Sequence, residues 1–479
     1  MKIQLIFRLG TAAALLAALP ATVRAQTFGA ASRDTQSVVT TAGTVKEATD
    51  SAKTGDSAVT GLHKKARMPR IGAPAIEIQH LRAPDGRGLN VFESPKGDRT
   101  PFNGFKLSWG GAFAQGFQSI THENTAAERL VNGVNQNALM PIGSGFNTAN
   151  ANLFLNVQLA DGIRVAVETY ASARHHNEFW VKNGYFLIDG SPIESDLLDL
   201  VMHFTTLKVG HFEVNYGDQH FRRSDNGQTI YNPFIGNFVM DAFTTEIGAE
   251  AYLRTDGYMA MLGLTGGEIK GQVTAPEKRG PSYLAKLGVD KQLSSDLRVR
   301  LAGSMYKKDA SASGTLTSGD RAGSKYYSVM ENTTSTESAQ AWSGAIQSGM
   351  KNNVLAFVVN PFVKYRGAEF FGNLETMTGA ATGEPANRTL RQLVGEGLYR
   401  FADDQLYVGG RYNVVKGQLA GIENDITVRR TQFGGGWFVT PNVLAKIELV
   451  NQRYLDFPAT DIRNGGKFKG FMVEGVVAF

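Results

Sequence analysis

The sequence predicts an all-β fold: a transmembrane antiparallel β-barrel of about sixteen strands, preceded by a flexible N-terminal periplasmic segment. Three observations carry this. Period-two apolar alternation recurs in sixteen segments after Phe102. The connections between those segments sort by length, short on one side and long on the other. The chain also stops on an alternating strand, "GGKFKGFMVEGVVAF", with a terminal Phe479. Period two is the signature of a strand. Only helices and closed barrels satisfy every backbone group in lipid, and no apolar run of about 18 residues follows the leader.

The first 25 residues read as a cleaved secretory signal. Lys2 and Arg8 start it, "GTAAALLAALPA" is a short apolar core, and "VRA" precedes Gln26. Removing it takes Lys2, Arg8 and Arg24 and no acid, which lowers the net charge from +5 to +2. A mature chain so near charge balance is a poor partner for nucleic acid. The absence of cysteine excludes a disulfide framework and thiolate chemistry. The 54 glycines, 28 phenylalanines and 15 tyrosines suit short strands with aromatic girdles.

Residues 26–100 form the predicted N-terminal periplasmic segment. Up to about residue 70 it is rich in Thr, Ser, Ala, Gly and Lys without sustained periodicity, and so is expected to be mobile. "APAIEIQHLRAPDGRGLNVFE" (Ala73–Glu93) is expected to be ordered, as a strand pair tucked under or into the barrel.

The barrel is assigned to residues 101–479, with strands near 104–119, 150–160, 162–172, 177–189, 200–212, 241–254, 257–266, 281–292, 295–306, 354–365, 367–377, 389–401, 404–416, 425–439, 442–455 and 465–479. In "NVLAKIELVNQ", Val443, Ala445, Ile447 and Leu449 oppose Lys446 and Glu448. Tyr454 and Phe457, just beyond, are read as interface aromatics. Counting back from Phe479, "TPN", "ADD", "YRG", "LSSD", "RTDG" and "ADG" are tight turns on one side, and long polar loops take the other. Short periplasmic turns alternating with long external loops characterise outer-membrane barrels. Residues 173–176 and 190–199 break the rule, the first being too short and the second too long.

A sixteen-stranded barrel is wide enough for an aqueous channel unless plugged. Alternation assigns Arg164, Lys208, Arg298, Arg300, Arg411, Arg430 and Lys446 to the lumen, with Glu246 and Glu250 among the facing acids. The two signs are nearly balanced, which argues against a strongly one-signed pore. The same residues also suit a wall of neighbouring ion pairs that stiffens the barrel. The richest loop is "HFEVNYGDQHFRRSDNGQTIYNPFIGNFVMD", expected to fold inward and narrow the channel over residues 213–240. Its constriction candidates are Arg222, Arg223, Asp218, Asp225 and Tyr231. Two readings stand open: the arginines attract anionic solutes, or they pair with Asp218 and Asp225 to hold the loop.

No cofactor or metal is expected. His175 and His176 are adjacent and point to opposite faces, and His211 and His220 lack a third ligand. No phosphate loop, "HExxH" or nucleophile elbow is present, and no spacing argues for catalysis.

"KYRGAEFFGNLETMTG", "YRFADDQLYVGGRYNVV", "GGGWFVTPNVLAKIELVNQRYLDF" and the closing strand resemble the sixteen-stranded porins, in particular the phosphate-selective porin family and uncharacterised barrels grouped with it. The resemblance spans about 102–479. It implies an outer-membrane barrel, a homotrimeric habit, and recognition of the C-terminal Phe479 by the barrel-assembly machinery. Phosphate-selective members line the pore with an arginine ladder and a lysine cluster; the lumen here is mixed, so phosphate selectivity does not carry over. The expected function is passive diffusion of small hydrophilic solutes across outer-membrane lipid, with a weak anion preference. The alternative is a closed structural or adhesive barrel presenting long external loops such as 307–353. A barrel hydrolase would need a Ser/His/acid cluster at the external rim, and no spacing provides one.

Overall fold

A computed structural model describes residues 75–94, 96–172, 179–191, 193–269, 273, 276–317, 324–336 and 343–479. The expected signal peptide, the whole of the segment expected to be mobile, and His175 and His176 lie outside the described residues. Strand-forming alternation closes into one antiparallel ring of sixteen strands: β1 (Lys106–Glu123), β2 (Asn150–Ala160), β3 (Ile163–Ser172), β4 (Phe179–Ile188), β5 (Thr205–Glu213), β6 (Thr245–Thr255), β7 (Tyr258–Thr265), β8 (Ser282–Gln292), β9 (Leu297–Lys308), β10 (Asn352–Tyr365), β11 (Ala368–Ala380), β12 (Arg388–Phe401), β13 (Leu406–Gly417), β14 (Ile426–Thr440), β15 (Val443–Leu455) and β16 (Lys467–Ala478). Each pairs with its sequence neighbours. The ring shuts at β1, whose first half pairs with β2 and whose second half pairs with β16, from Ala112↔Ala478 to Glu123↔Lys467. Phe479 and Gly111 exchange two backbone hydrogen bonds of 2.9 Å at the seam. The terminal strand therefore leaves no free sheet edge beside β15.

Burial alternates with the sequence. Along β15, Ala445, Ile447 and Leu449 are exposed while Leu444, Lys446 and Glu448 are buried. Through the middle of the strands the exposed set is apolar, as at Leu393, Phe433, Leu449 and Val473. The charges there face inward, which is the arrangement of a wall between lipid and a polar interior, while toward the loop-side ends Lys307, Arg391, Lys416, Arg429, Arg453 and Lys469 are exposed. The turn-side ends carry exposed aromatics, among them Trp109, Tyr258, Tyr365, Tyr399, Trp437 and Phe479. Tyr454 and Phe457 do not belong to that girdle. Tyr454 shares the inward parity of Lys446 and Phe457 follows the end of the strand; they are only 2% and 4% exposed and pack edge to face at 5.8 Å inside the barrel.

The tight turns fall where the spacing put them. Asp256 and Gly257 both take positive φ, the two-residue hairpin geometry that Asp-Gly favours. The long turn-side link is explained by a helix, α1 (Asp196–Met202), so β5 begins at Thr205 rather than at 200. Its signals are in the sequence: Leu197, Leu200 and Val201 at helical spacing, with Asp196 and Asp199 in the first turn. β6 likewise begins at Thr245, because 241–244 still belongs to the inward loop.

Candidate functional site

Three segments enter the barrel. Residues 78–94 cross its turn-side mouth. The backbone N–H of Gln79 donates to Gln158 Oε1 at 2.8 Å, and its side-chain amide donates to Asp161 Oδ1 at 2.9 Å. On the far side Gly86 N–H donates to the carbonyl of Pro441 at 2.8 Å, and Asn90 Nδ2 donates to Glu369 Oε1 at 2.9 Å. A single 3-10 turn, Gly86–Gly88, is the only regular element there among the described residues, so the expected strand pair is replaced by an irregular strap. Gly88 permits its close approach: a Cβ would lie 2.2 Å from the Ala83 carbonyl and 2.7 Å from the Tyr231 ring.

The second segment, between β5 and β6, is buried almost throughout. Its apolar residues Val239 and Met240 join wall residues Met377, Leu390, Val415 and Val428 in one cluster. The third lies between β9 and β10. Its described parts turn inward instead of extending outward: Tyr326 donates to Glu448 Oε1 at 2.6 Å, and Ile346 N–H donates to Val239 O at 2.7 Å.

The residues singled out by sequence are found in this filling. Arg222 pairs with Glu396 at 2.5 Å and donates to Asn90. Arg223 bridges Asp225 at 2.8 Å and Asp241 at 2.6 Å, with its charge held by those carboxylates despite burial. Asp218 meets Lys286 and Arg300, each at 2.8 Å. Asp225 also contacts Lys182 and Tyr170. Tyr231 donates to Ala83 O at 2.5 Å, and burial pushes its phenol up to about 12. The loop arginines therefore have acid partners, two of which (Glu396 and Asp241) sequence proximity did not suggest.

The wall set is equally engaged. Arg298 pairs with Asp290 at 2.6 Å, Arg300 with Glu93 at 2.8 Å, Arg411 with Glu396 at 2.7 Å, and Lys446 with Glu474 at 2.7 Å. Arg430 donates to the carbonyls of Asn237 and Gly344 at 2.6 and 2.7 Å. Glu246 accepts from Tyr306 at 2.6 Å, and Glu250 accepts from Asn215 N–H at 2.7 Å. Lys208 lies 3.7 Å from Glu250 and donates to the Glu213 carbonyl at 3.0 Å. Arg164 donates to Asn156 Oδ1 at 3.0 Å. His220 meets Glu213 at 2.5 Å, while His211 meets Thr245 at 3.0 Å; no group of three metal-ligating side chains occurs among the described residues.

A cavity of about 470 Å³ lies between the strap, the loop after β5 and the wall of β1–β6. Eight Lys/Arg and six Asp/Glu side chains line it, with Tyr185, Tyr231 and Tyr252. Composition alone could not reveal it, because it is bounded by chain segments far apart in sequence.

Strand order, outward apolar face and charged interior together define a sixteen-stranded outer-membrane β-barrel. Among solved structures the chain is similar to an anion-selective porin from Comamonas acidovorans, at 12% identity over 78% of this chain and 100% of that one, with TM-score 0.49. It is also similar to OmpT, an outer-membrane protein of Vibrio cholerae in trimer form, at 12% identity over 79% and 100%, with TM-score 0.46. The outer-membrane channel DcaP of Acinetobacter baumannii matches at 9% identity over 79% and 99%, with TM-score 0.46. No family model matches, and no curated protein does. The barrel assignment rests on the closed strand ring itself.

Proposed function

We propose that this barrel is a restricted diffusion channel, in which small hydrophilic solutes pass along the wall-side cavity and not down the barrel axis. The observation supporting it is that a charged, tyrosine-lined space of about 470 Å³ lies beside β1–β6 while three segments fold into the barrel across its axis. Passage is driven by the gradient and uses no cofactor. The excess of basic over acidic lining favours anions modestly. Assembly through Phe479 and homotrimer formation belong to the same proposal.

The density of the filling favours a second reading, a closed structural barrel. Single-channel recording of the refolded chain in a planar bilayer separates the two. A restricted channel gives small steps, enlarged in Gly88→Val, where the added side chain cannot fit between Ala83 and Tyr231 and the strap is displaced. Silence from both chains, each shown folded by heat-modifiable mobility, would leave the structural reading.

A further inference from the structure

Among the described residues most bases inside this barrel have a carboxylate partner; Arg430 and Lys308 are held by carbonyl and amide oxygens instead, and three arginines at the cavity also lack a carboxylate. Arg82 Nε and Nη2 donate only to the carbonyls of Gly88 and Phe221, each at 2.9 Å. Arg164 has only Asn156 Oδ1 at 3.0 Å and the Tyr185 hydroxyl at 3.4 Å. Arg254 packs its guanidinium 5.2 Å from the Tyr252 ring centroid. The Nε atoms of Arg164 and Arg254 and Nδ1 of His80 are buried without a hydrogen-bond partner among the described residues. All four side chains line the one cavity.

The nearest acids of the lining are already paired with other bases. Glu168 and Glu213 are taken by Lys182 at 3.1 and 3.2 Å, and Glu93 by Lys286 at 2.9 Å. A buried guanidinium without a counter-charge is costly, so the arrangement is stable when something negative enters. Inorganic phosphate or a carboxylate meets the guanidinium chemistry equally. The walls decide between them. Arg82 lies 3.6 Å over the Tyr231 ring, and Tyr185 and Tyr252 face the space, so the cavity offers apolar contact area that a bare oxyanion cannot use.

We propose that this cavity is a binding site for a small organic anion bearing carboxylates, held by Arg164 and Arg254 with Arg82 also on its lining. The site rests on the channel reading in that it assigns an occupant to the same cavity. Binding is measured in detergent and conduction in a bilayer, so either can fail alone.

The experiment is calorimetric titration of the full folded chain with succinate, inorganic phosphate and uncharged succinamide. The expected result is saturable succinate binding, no succinamide binding, and at least a tenfold weakening in Arg164→Gln/Arg254→Gln. The exposed-loop control Arg129→Gln binds as the parent does. Should the double variant not reach the heat-modifiable form, Arg164→Lys retains the charge, loses the two-pronged donor and is expected to bind more weakly. Absence of succinate binding, binding of phosphate without succinate, or unchanged binding in a folded arginine variant would overturn the assignment.

Discussion

Lys446 and Leu449 stand three positions apart on β15 and face opposite media. Leu449 is 55% exposed near the middle of its strand, so Leu449→Arg places a charge in lipid. The expected cost is about 2–4 kcal/mol near mid-bilayer, read as a lowered urea midpoint for folding into vesicles. Asp218 poses the opposite problem. It is fully buried between Lys286 and Arg300. Asp218→Ala leaves both bases with only Glu93, and Arg300 with a longer contact to Asp290. Losing one partner of a buried ionic cluster costs about 3–5 kcal/mol; Asp218→Asn, which retains a polar side chain, is expected to lose less in the same assay. Facing direction was legible at this scale, because alternation is local. Partner choice was not: Arg222 and Glu396 are 174 positions apart. Tyr454 shows where a local habit misled, since a strand-end aromatic was assigned to the interface although its parity matched Lys446.

Among elements, the strap over 78–94 is held chiefly by polar contacts, and its charge state matters. Burial pushes the Glu93 carboxyl up, but Lys286 and Arg300 outweigh it and hold the group well below the usual carboxylate range. A carboxyl whose folded value is depressed stabilises the fold above its unfolded value, near pH 4.3 for Glu, roughly, and loses that contribution as pH falls through the folded one. Acidification below about pH 4 is therefore expected to loosen the strap. Hydrogen exchange of its amides should accelerate there while β12–β16 stay protected, and Glu93→Gln should already exchange faster at neutral pH. Helix α1 was legible in principle from Leu197, Leu200 and Val201, yet a strand pattern running through Met202 to Phe212 drew the boundary too early. The strap itself has no periodicity to read; its conformation is set by the wall groups that accept and donate to it.

For the whole molecule, closure is the governing property. β16 pairs with both β15 and β1, so truncating residues 467–479 exposes two long strand edges at once. The truncated chain is expected to yield no heat-modifiable band after refolding, whereas a chain lacking only residues 26–66 should fold as the parent does. The sequence by itself determined the number of strands, their approximate bounds, the face each turns to lipid, and the inward course of the loop after β5. Those properties follow from period-two alternation and loop lengths, which a chain carries locally. Only the tertiary structure decided that three segments fold into the barrel, that Arg222 and Arg223 have acid partners, and that a basic cavity lies beside β1–β6. These depend on which distant side chains meet once the ring has closed, and burial in a low-dielectric interior makes those meetings decisive.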